Sequence, residues 1–267
     1  MPNIYPRITV IMGIYNCADT LIEALESIES QTYKNFKVVL CDDGSKDNTL
    51  EVATKWAKTH SNYIVIKNKY NIKLAATLNH CLEYADTEYV ARMDGDDISL
   101  PTRFEKEIDF LDNHPEYAFV STPMAFFDKD GIYKYGKAKE FPTKNDFRNG
   151  PPFCHAPCMV RKSAFDIING YTAEERVERV EDYYMWYKMY RAGLKGANLQ
   201  EILYHMRNDK NAFARRKVKD RIKGYYINYE VCHNLGVKYA RIIALKYLMK
   251  AFVPPYIALF IRKYLKL

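Results

Sequence analysis

Tyr89-Val90-Ala91-Arg92-Met93-Asp94-Gly95-Asp96-Asp97 is the stretch on which the reading of this chain turns. Tyr89, Val90, Ala91 and Met93 read as a short buried strand that runs into three carboxylates within four positions. By itself an Asp-x-Asp is most simply a solvated acidic turn. Carboxylates a few ångströms apart repel one another, however, and a cation among them removes the repulsion. Hard oxygen ligands on a short loop suit Mg²⁺ or Mn²⁺, which bind through one or two carboxylates and complete their shell with water and substrate phosphates.

Working outward, apolar runs alternate with segments of helical period. Ile8 to Ile14 is β-branched and apolar, and Ala18 to Ser30 puts Leu21, Ile22, Leu25 and Ile28 at helical spacing. Phe36 to Cys41 reads as a strand ending in Asp42-Asp43-Gly44-Ser45, and Thr49 to Thr59 as a helix capped by Asp47 or Asn48. A strand over Tyr63 to Lys67, a helix over Leu74 to Tyr84, the opening strand, and a helix over Pro101 to Asn113 continue the series. This order predicts an α/β fold with a mostly parallel sheet and right-handed crossovers. Ligands bind such sheets beyond the carboxyl ends of the strands, which singles out Tyr15-Asn16, Asp42-Asp43 and the Asp94 cluster. Neither a Gly-x-Gly-x-x-Gly nor a Gly-x-x-x-x-Gly-Lys-Ser/Thr stretch is present, so a metal rather than a glycine cradle is expected to hold phosphates. Asp42 or Asp43 can accept hydrogen bonds from a pyrimidine N–H or from ribose hydroxyls, and the same residues fit a turn with a helix cap.

The 267 residues, 48% of them apolar, suffice for one large α/β domain with an appendage and exclude wholesale disorder. Met1 to Arg7 lacks a basic leader and the apolar run behind it is short, so a cytoplasmic protein is expected. The cysteines at 17, 41, 81, 154, 158 and 232 are irregularly spaced and fit buried thiols better than disulfides. Charge divides the chain: residues 203–267 hold 15 Lys and Arg against 3 Asp and Glu, while the whole chain is at +7. A cationic end on an acidic body suits an anionic surface, either nucleic acid or a membrane leaflet, or else a solvated helical face.

Together these stretches resemble the family 2 glycosyltransferases. The resemblance rests on Ile8 to Met12 with Tyr15-Asn16, on Val39 to Thr49, on Asn71 with Leu74-Ala75-Ala76 and Asn79, and on Ala91 to Asp97. It continues through His155, Met159, Arg161-Lys162, Gly170-Tyr171, Glu181 to Trp186 and Arg207, covering about the first 210 residues. It implies a GT-A fold, a nucleotide-sugar donor (UDP-sugars being commonest), a divalent metal and transfer with inversion at the anomeric carbon. Asp182 is then the catalytic base, Asp96 the metal ligand, and Asp42 or Asp43 the contact to base and ribose. Asp94 faces the ribose or sugar, with Tyr15, Asn16, Asn71, Lys73, Arg92 and Arg207 on the donor side and His155, Glu181 and Trp186 on the acceptor side. A single displacement independently requires one carboxylate opposite the leaving group. The alternative readings are that Asp182, in a helix's first turn, serves only the helix dipole, that the aromatics from Tyr183 to Tyr190 are core, and that His155 is structural. A zinc site at Cys154-His155-Ala156-Pro157-Cys158 lacks a second ligand pair.

Two positions depart from the family pattern. Lys73 stands where members usually carry glycine, which reshapes the loop or brings an amine to the diphosphate. Asp209 stands where a histidine is common, leaving Arg207, Lys210, Arg215 or Arg216 to serve a closing loop.

Residues 1–210 are expected to form the catalytic domain and 211–267 a basic amphipathic extension of helices over Lys217 to Asn234, Lys238 to Ala251 and Tyr256 to Leu265. The uncharged run Ala251 to Ile261 is too short to span a bilayer, which takes about 20 apolar residues. It suits a hairpin on an anionic inner leaflet, or packing on the catalytic domain or on a second copy as a homodimer. The function expected is transfer of a hexosyl or N-acetylhexosaminyl group to a glycan or polyprenyl-linked acceptor in surface polysaccharide synthesis. An inactive nucleotide-sugar-binding scaffold and, less favoured, a nucleic-acid-binding protein are the alternatives; no nucleic-acid readout motif supports the latter.

Overall fold

The computed structural model describes residues 5–207 and 218–252. The first half alternates as the hydrophobic pattern requires: β1 (Ile8–Ile14), α1 (Ala18–Glu29), β2 (Phe36–Asp42), α2 (Thr49–Ala57), β3 (Tyr63–Lys67), α3 (Leu74–Leu82) and β4 (Tyr89–Arg92). The two-residue β5 (Ile98–Ser99) and α4 (Arg103–Asn113) follow, with Pro101 in the turn ahead of the helix. Then come β6 (Phe119–Ser121), β7 (Met124–Asp128), β8 (Gly131–Tyr135), β9 (Met159–Arg161), α5 (Lys162–Ile168), α6 (Glu181–Arg191), β10 (Gly196–Asn198), β11 (Tyr204–Arg207), α7 (Val218–Asn234) and α8 (Ala240–Phe252).

Seven strands form the main sheet in the order β10-β6-β9-β4-β1-β2-β3. All its neighbours pair in parallel except β9, which runs antiparallel to both β4 and β6. The α/β class with a mostly parallel sheet is therefore as expected, and β1 is central because nearly every residue of it is buried on both faces. Its side chains alternate: Val10, Met12 and Ile14 join the α1 and α4 side, and Ile11 joins the α3 and α6 side. Asp47 supports α2 without being its N-cap residue, accepting the N–H groups of Thr49 (3.0 Å) and Ala18 (3.2 Å).

A second sheet of four strands, in the order β5-β11-β7-β8, is not apparent in the sequence. Its strands are two to five residues long, and β8 is exposed along its whole length, so no apolar alternation marks them. Its function is to bring β11 beside the loop that follows β4.

Within the extension, Ile227, Val231, Cys232, Leu235 and Ile243 join the same hydrophobic cluster as Tyr183, Trp186 and Phe147, so α7 and α8 pack on the core of the preceding residues. The third expected helix, the Arg207 to Arg216 loop beyond its first residue, Asp209 and the 210/211 boundary lie outside the described residues. Among the described residues no helix is long and apolar enough to cross a membrane. All six cysteines are unpaired.

Beneath the acidic loop, Arg103 and Glu107 form a fully buried pair (Nε to Oε2, 3.2 Å), and Glu107 Oε1 has no partner. Burial pushes Glu107 up to about 7 against the pull of Arg103. A carboxyl whose folded pKa exceeds its unfolded one stabilises the fold at low pH and loses that contribution as pH rises through the folded value. We expect Glu107→Gln to flatten the stability curve between about pH 5 and 8, with the wild type falling by roughly 1–3 kcal/mol relative to the variant. Urea unfolding of both proteins at pH 5, 6.5 and 8 measures this, and parallel curves would contradict it.

Candidate active site

The carboxyl ends of β1, β2 and β4 lie side by side, with Ile14 opposite Asp42 and Ile11 opposite Arg92. The loops leaving them carry the expected residues. Gly44 is required here: its φ is +70°, and a Cβ would sit 2.9 Å from the Asn71 nitrogen. The two loops thereby close on each other, and the Asp43 carboxylate accepts from Asn68 Nδ2 (2.9 Å), Ile72 N–H (2.8 Å) and Lys73 N–H (3.1 Å).

A cavity of about 530 Å³ opens at this point, lined on one wall by Tyr15, Asp43, Asn71 and Lys73 and on the other by residues 172–181 in part. Two lining residues, Asn71 and Glu181, carry a buried oxygen with no hydrogen-bond partner, which is characteristic of a ligand site. Asp42 and Asn16 do not line it. Asp42 turns inward to accept Ser45 N–H (3.1 Å), and Asn16, at φ +49°, accepts Lys46 N–H (2.8 Å), so both shape the wall from behind. Lys73 keeps the backbone of a glycine, φ +75° and ψ 158°, at a cost on the order of 1–3 kcal/mol.

A second cavity of about 660 Å³ is lined by Arg92, Asp94, His155, Asp182 and the 137–142 segment, and it shares Arg179 and Glu181 with the first. Glu181 and Asp182 open α6, where the helix N-terminus favours negative charge. Burial, and then the nearby Arg92, hold His155 well below the usual histidine range, so it is neutral; its Nε2 lies 2.9 Å from the Tyr171 hydroxyl. Trp186, expected among the acceptor contacts, is instead fully buried, with its ring 4.6 Å from Phe119 and facing His155 at 6.3 Å. That correction follows from helical period: α6 turns Glu181 and Asp182 to the cavities and the bulky aromatics to the core.

The acidic loop is held from several sides. Arg92 pairs with Asp94, whose N–H donates to the Tyr204 hydroxyl (3.2 Å). Gly95 allows the loop to close, since a Cβ there would sit 2.8 Å from Cys17 Sγ. Burial and then Asp94 push Asp96 up to about 6. Burial followed by Asp94 and Asp96 raise Asp97 as well, and Asp97 accepts the Arg207 N–H (2.7 Å). Arg207 itself donates to the Asp96 carbonyl (2.8 Å) and pairs with Glu23, outside both cavities. Among the described residues no group of three or more His, Cys, Asp or Glu could hold a metal. The arrangement still fits a divalent cation that uses one or two carboxylates and a substrate's phosphates, because neighbouring acids with raised proton affinity, here Asp96 and Asp97, are relieved by one.

Tyr171, Tyr204, Arg103 and Arg179 were not picked out by the sequence as site residues. The first three are buried supports; Tyr171 falls in the Gly170-Tyr171 stretch of the resemblance without a role there, and Tyr204 and Arg103 have no motif of their own, while Arg179 lies two residues before Glu181 and only the shared cavity wall marks it.

Comparison with known proteins agrees with this geometry. Residues 9–168 match the family described as Glycosyl transferase family 2. The chain is 43% identical over 251 residues to the protein EpsE of Bacillus subtilis, covering 93% of this chain and 90% of that protein. It is 28% identical over 253 residues, covering 90% and 91%, to UDP-Glc:alpha-D-GlcNAc-diphosphoundecaprenol beta-1,3-glucosyltransferase WfaP of Escherichia coli. The mannosyltransferase PcManGT of Pyrobaculum calidifontis, solved with GDP-Man and Mn²⁺, superposes with a TM-score of 0.64 at 20% identity, covering 97% of this chain and 79% of that one. With two adjoining cavities at the carboxyl edge of a GT-A sheet and this extent of sequence match, the chain belongs to the family 2 glycosyltransferases.

Proposed function

We propose that this glycosyltransferase takes a hexosyl or N-acetylhexosaminyl group from a nucleoside-diphosphate donor, a UDP-sugar first among them, and adds it with inversion to a hydroxyl of a polyprenyl-linked or glycan acceptor in surface polysaccharide synthesis. The observation that carries this reading is the pair of cavities that join at Glu181 and Arg179, with Asp182 on the second only. A nucleoside in the first cavity meets Tyr15, Asp43 and Asn71, and its sugar points toward Arg92 and Asp94. An acceptor hydroxyl beside Asp182 loses its proton to that carboxylate as it attacks the anomeric carbon. Neutral His155 orients the acceptor as a hydrogen-bonding group without adding charge. Asp96, with Asp94, would hold Mn²⁺ or Mg²⁺, which supplies charge neutralisation for the departing diphosphate. WfaP, named for UDP-Glc and a lipid-linked diphosphate acceptor, supports the choice of substrates, and the Mn²⁺ of PcManGT supports the metal.

Thermal shift with UDP, GDP and TDP, each with Mn²⁺ or with EDTA, tests the donor assignment. One diphosphate should raise the Tm more with Mn²⁺ than with EDTA, and no response to any of them would overturn the reading. Asp182→Asn is expected to keep that shift and to lose transfer by about 10²–10⁴-fold, whereas Asp96→Ala loses the Mn²⁺-dependent part of the shift. Full transfer by Asp182→Asn would remove it as the base, and transfer lost from the wild type as well, with binding intact, would favour the inactive scaffold.

We also propose attachment to an anionic inner leaflet. The support is the basic C-terminal quarter together with Ile242 and Leu245, which are exposed on α8 beside Arg241 and Lys246. The full chain should float with vesicles containing phosphatidylglycerol, lose this in high salt, and lose most of it when residues 253–267 are deleted. Equal flotation with purely zwitterionic vesicles would argue against it.

A further inference from the structure

We propose that Lys73 and Arg179 form a two-sided cationic clamp on the diphosphate of the donor, each carried into the first cavity by a left-handed backbone. The inference rests on the donor reading above and adds a residue, Arg179, that the family resemblance did not supply.

The argument begins with charge. Among the described residues lining the first cavity, five are acidic (Asp43, Glu174, Glu175, Glu178 and Glu181) and two are cationic, Lys73 and Arg179. A diphosphate entering so acidic a cleft is repelled unless it lies beside those cations. The two come from opposite walls: Lys73 from the turn before α3 and Arg179 from the turn before α6. Lys73 already reaches across, with its Nζ 3.9 Å from Glu178 Oε1. An incoming phosphate offers that amine a more highly charged partner at the same place.

Backbone geometry is the second observation. Both residues have positive φ, +75° at Lys73 and +69° at Arg179, and neither is glycine. Non-glycine residues persist there when their surroundings fix them, and such positions gather at ligand clamps. The surroundings are explicit. Lys73 N–H is held by Asp43, and its carbonyl accepts Thr77 N–H at 3.0 Å; Arg179 is fixed between Glu178, whose N–H donates to the Glu175 carbonyl (3.3 Å), and Val180, whose N–H donates to the Val177 carbonyl (3.0 Å). The main chain at Lys73 is thus anchored by an acid that also lines the cavity, and that at Arg179 by the turns on either side of it.

Arg179 lines the second cavity as well, so it stands where the bond between sugar and diphosphate must lie. In the transfer the acceptor oxygen bonds to the anomeric carbon, the bond from that carbon to the phosphate oxygen breaks with its electron pair remaining on the diphosphate, and the acceptor proton goes to Asp182. The clamp faces the oxygen on which the negative charge grows.

The test separates phosphate from nucleoside. Calorimetry on the full chain compares UDP with uridine and GDP with guanosine, each with Mn²⁺ and with EDTA, for wild type, Lys73→Gly, Lys73→Met, Arg179→Gly and Arg179→Met. Each variant should weaken the bound diphosphate by about tenfold or more, in EDTA as well as Mn²⁺, and leave the matching nucleoside within about twofold. The glycine variants should also raise the Tm of the free protein by relieving the backbone, which a general structural defect would not do. The methionine variants keep the strain and remove only the charge, so they decide the matter if a glycine variant folds poorly. Unchanged diphosphate affinity in them, or a parallel loss of nucleoside affinity, overturns the clamp. A wild type that binds no nucleoside diphosphate overturns the donor reading itself.

Discussion

Three carboxylates on one short loop, with Asp97 buried and Asp94 half-buried, are the constraint around which the site is built. Asp96 and Asp97 both bind protons more tightly than a free aspartate, and in each case burial comes first and the charge of Asp94 second. Such a loop would open if it were not held. Arg92 pairs with Asp94 from the strand below, the Tyr204 hydroxyl accepts the Asp94 N–H, and Asp97 takes the Arg207 N–H. Arg103 lies beneath all of these, donating to the Arg92 carbonyl at 2.8 Å with its guanidinium 5.3 Å from the Tyr204 ring. The small second sheet acquires its purpose from this, because Tyr204 and Arg207 both lie on β11.

A second constraint lies across the cleft. The N-terminus of α6 brings Glu181 and Asp182 to the place where the cavities meet, and its exposed amides make two adjacent acids tolerable there. The aromatic body of the same helix is the keel of the core: Tyr183 donates to the Phe147 carbonyl and Asn228 Nδ2 donates to Tyr183, tying α6 to both the 144–149 turn and α7. Positioning of Glu181 and Asp182 therefore depends on packing remote from the cavities, and the described part of the C-terminal extension contributes to that packing.

How far the sequence could be read follows from these same residues. The parallel half of the sheet was legible because β1 to β4 are apolar, β-branched and separated by helices of clear period. The acids at the strand ends were legible because each ends an apolar run. What could not be read was which of two neighbours faces the ligand. Asp42 and Asp43 are chemically alike, and only the close approach of residues 70–73 turns Asp43 into the cavity wall. Trp186 misled because an aromatic near the Glu181-Asp182 pair fits a sugar platform as well as a core, and the turn of the helix decides for the core. The second sheet, with its exposed β8, left no periodic trace. Arg179 belongs to no periodic segment either, and nothing short of the shared wall distinguishes it from the neighbouring charges.

Lysine at a position with glycine's backbone becomes intelligible once strain and affinity are kept apart. The left-handed conformation of Lys73 is fixed by bonds to Asp43 and Thr77 that need no ligand, so its cost, on the order of 1–3 kcal/mol, is present before and after binding. It lowers the stability of the fold and cancels from the affinity. The attraction of the amine for a phosphate, in contrast, exists only in the complex, and an ionised hydrogen bond in a partly enclosed cleft is worth about 1.5–3 kcal/mol. Selection for a stable fold would place glycine there, whereas selection for holding a diphosphate in a cavity walled by carboxylates would place a cation. The acidity of the opposite wall, with Glu174, Glu175 and Glu178 together, is what tips that balance, because it makes the cleft a poor site for any anion that does not find Lys73 or Arg179.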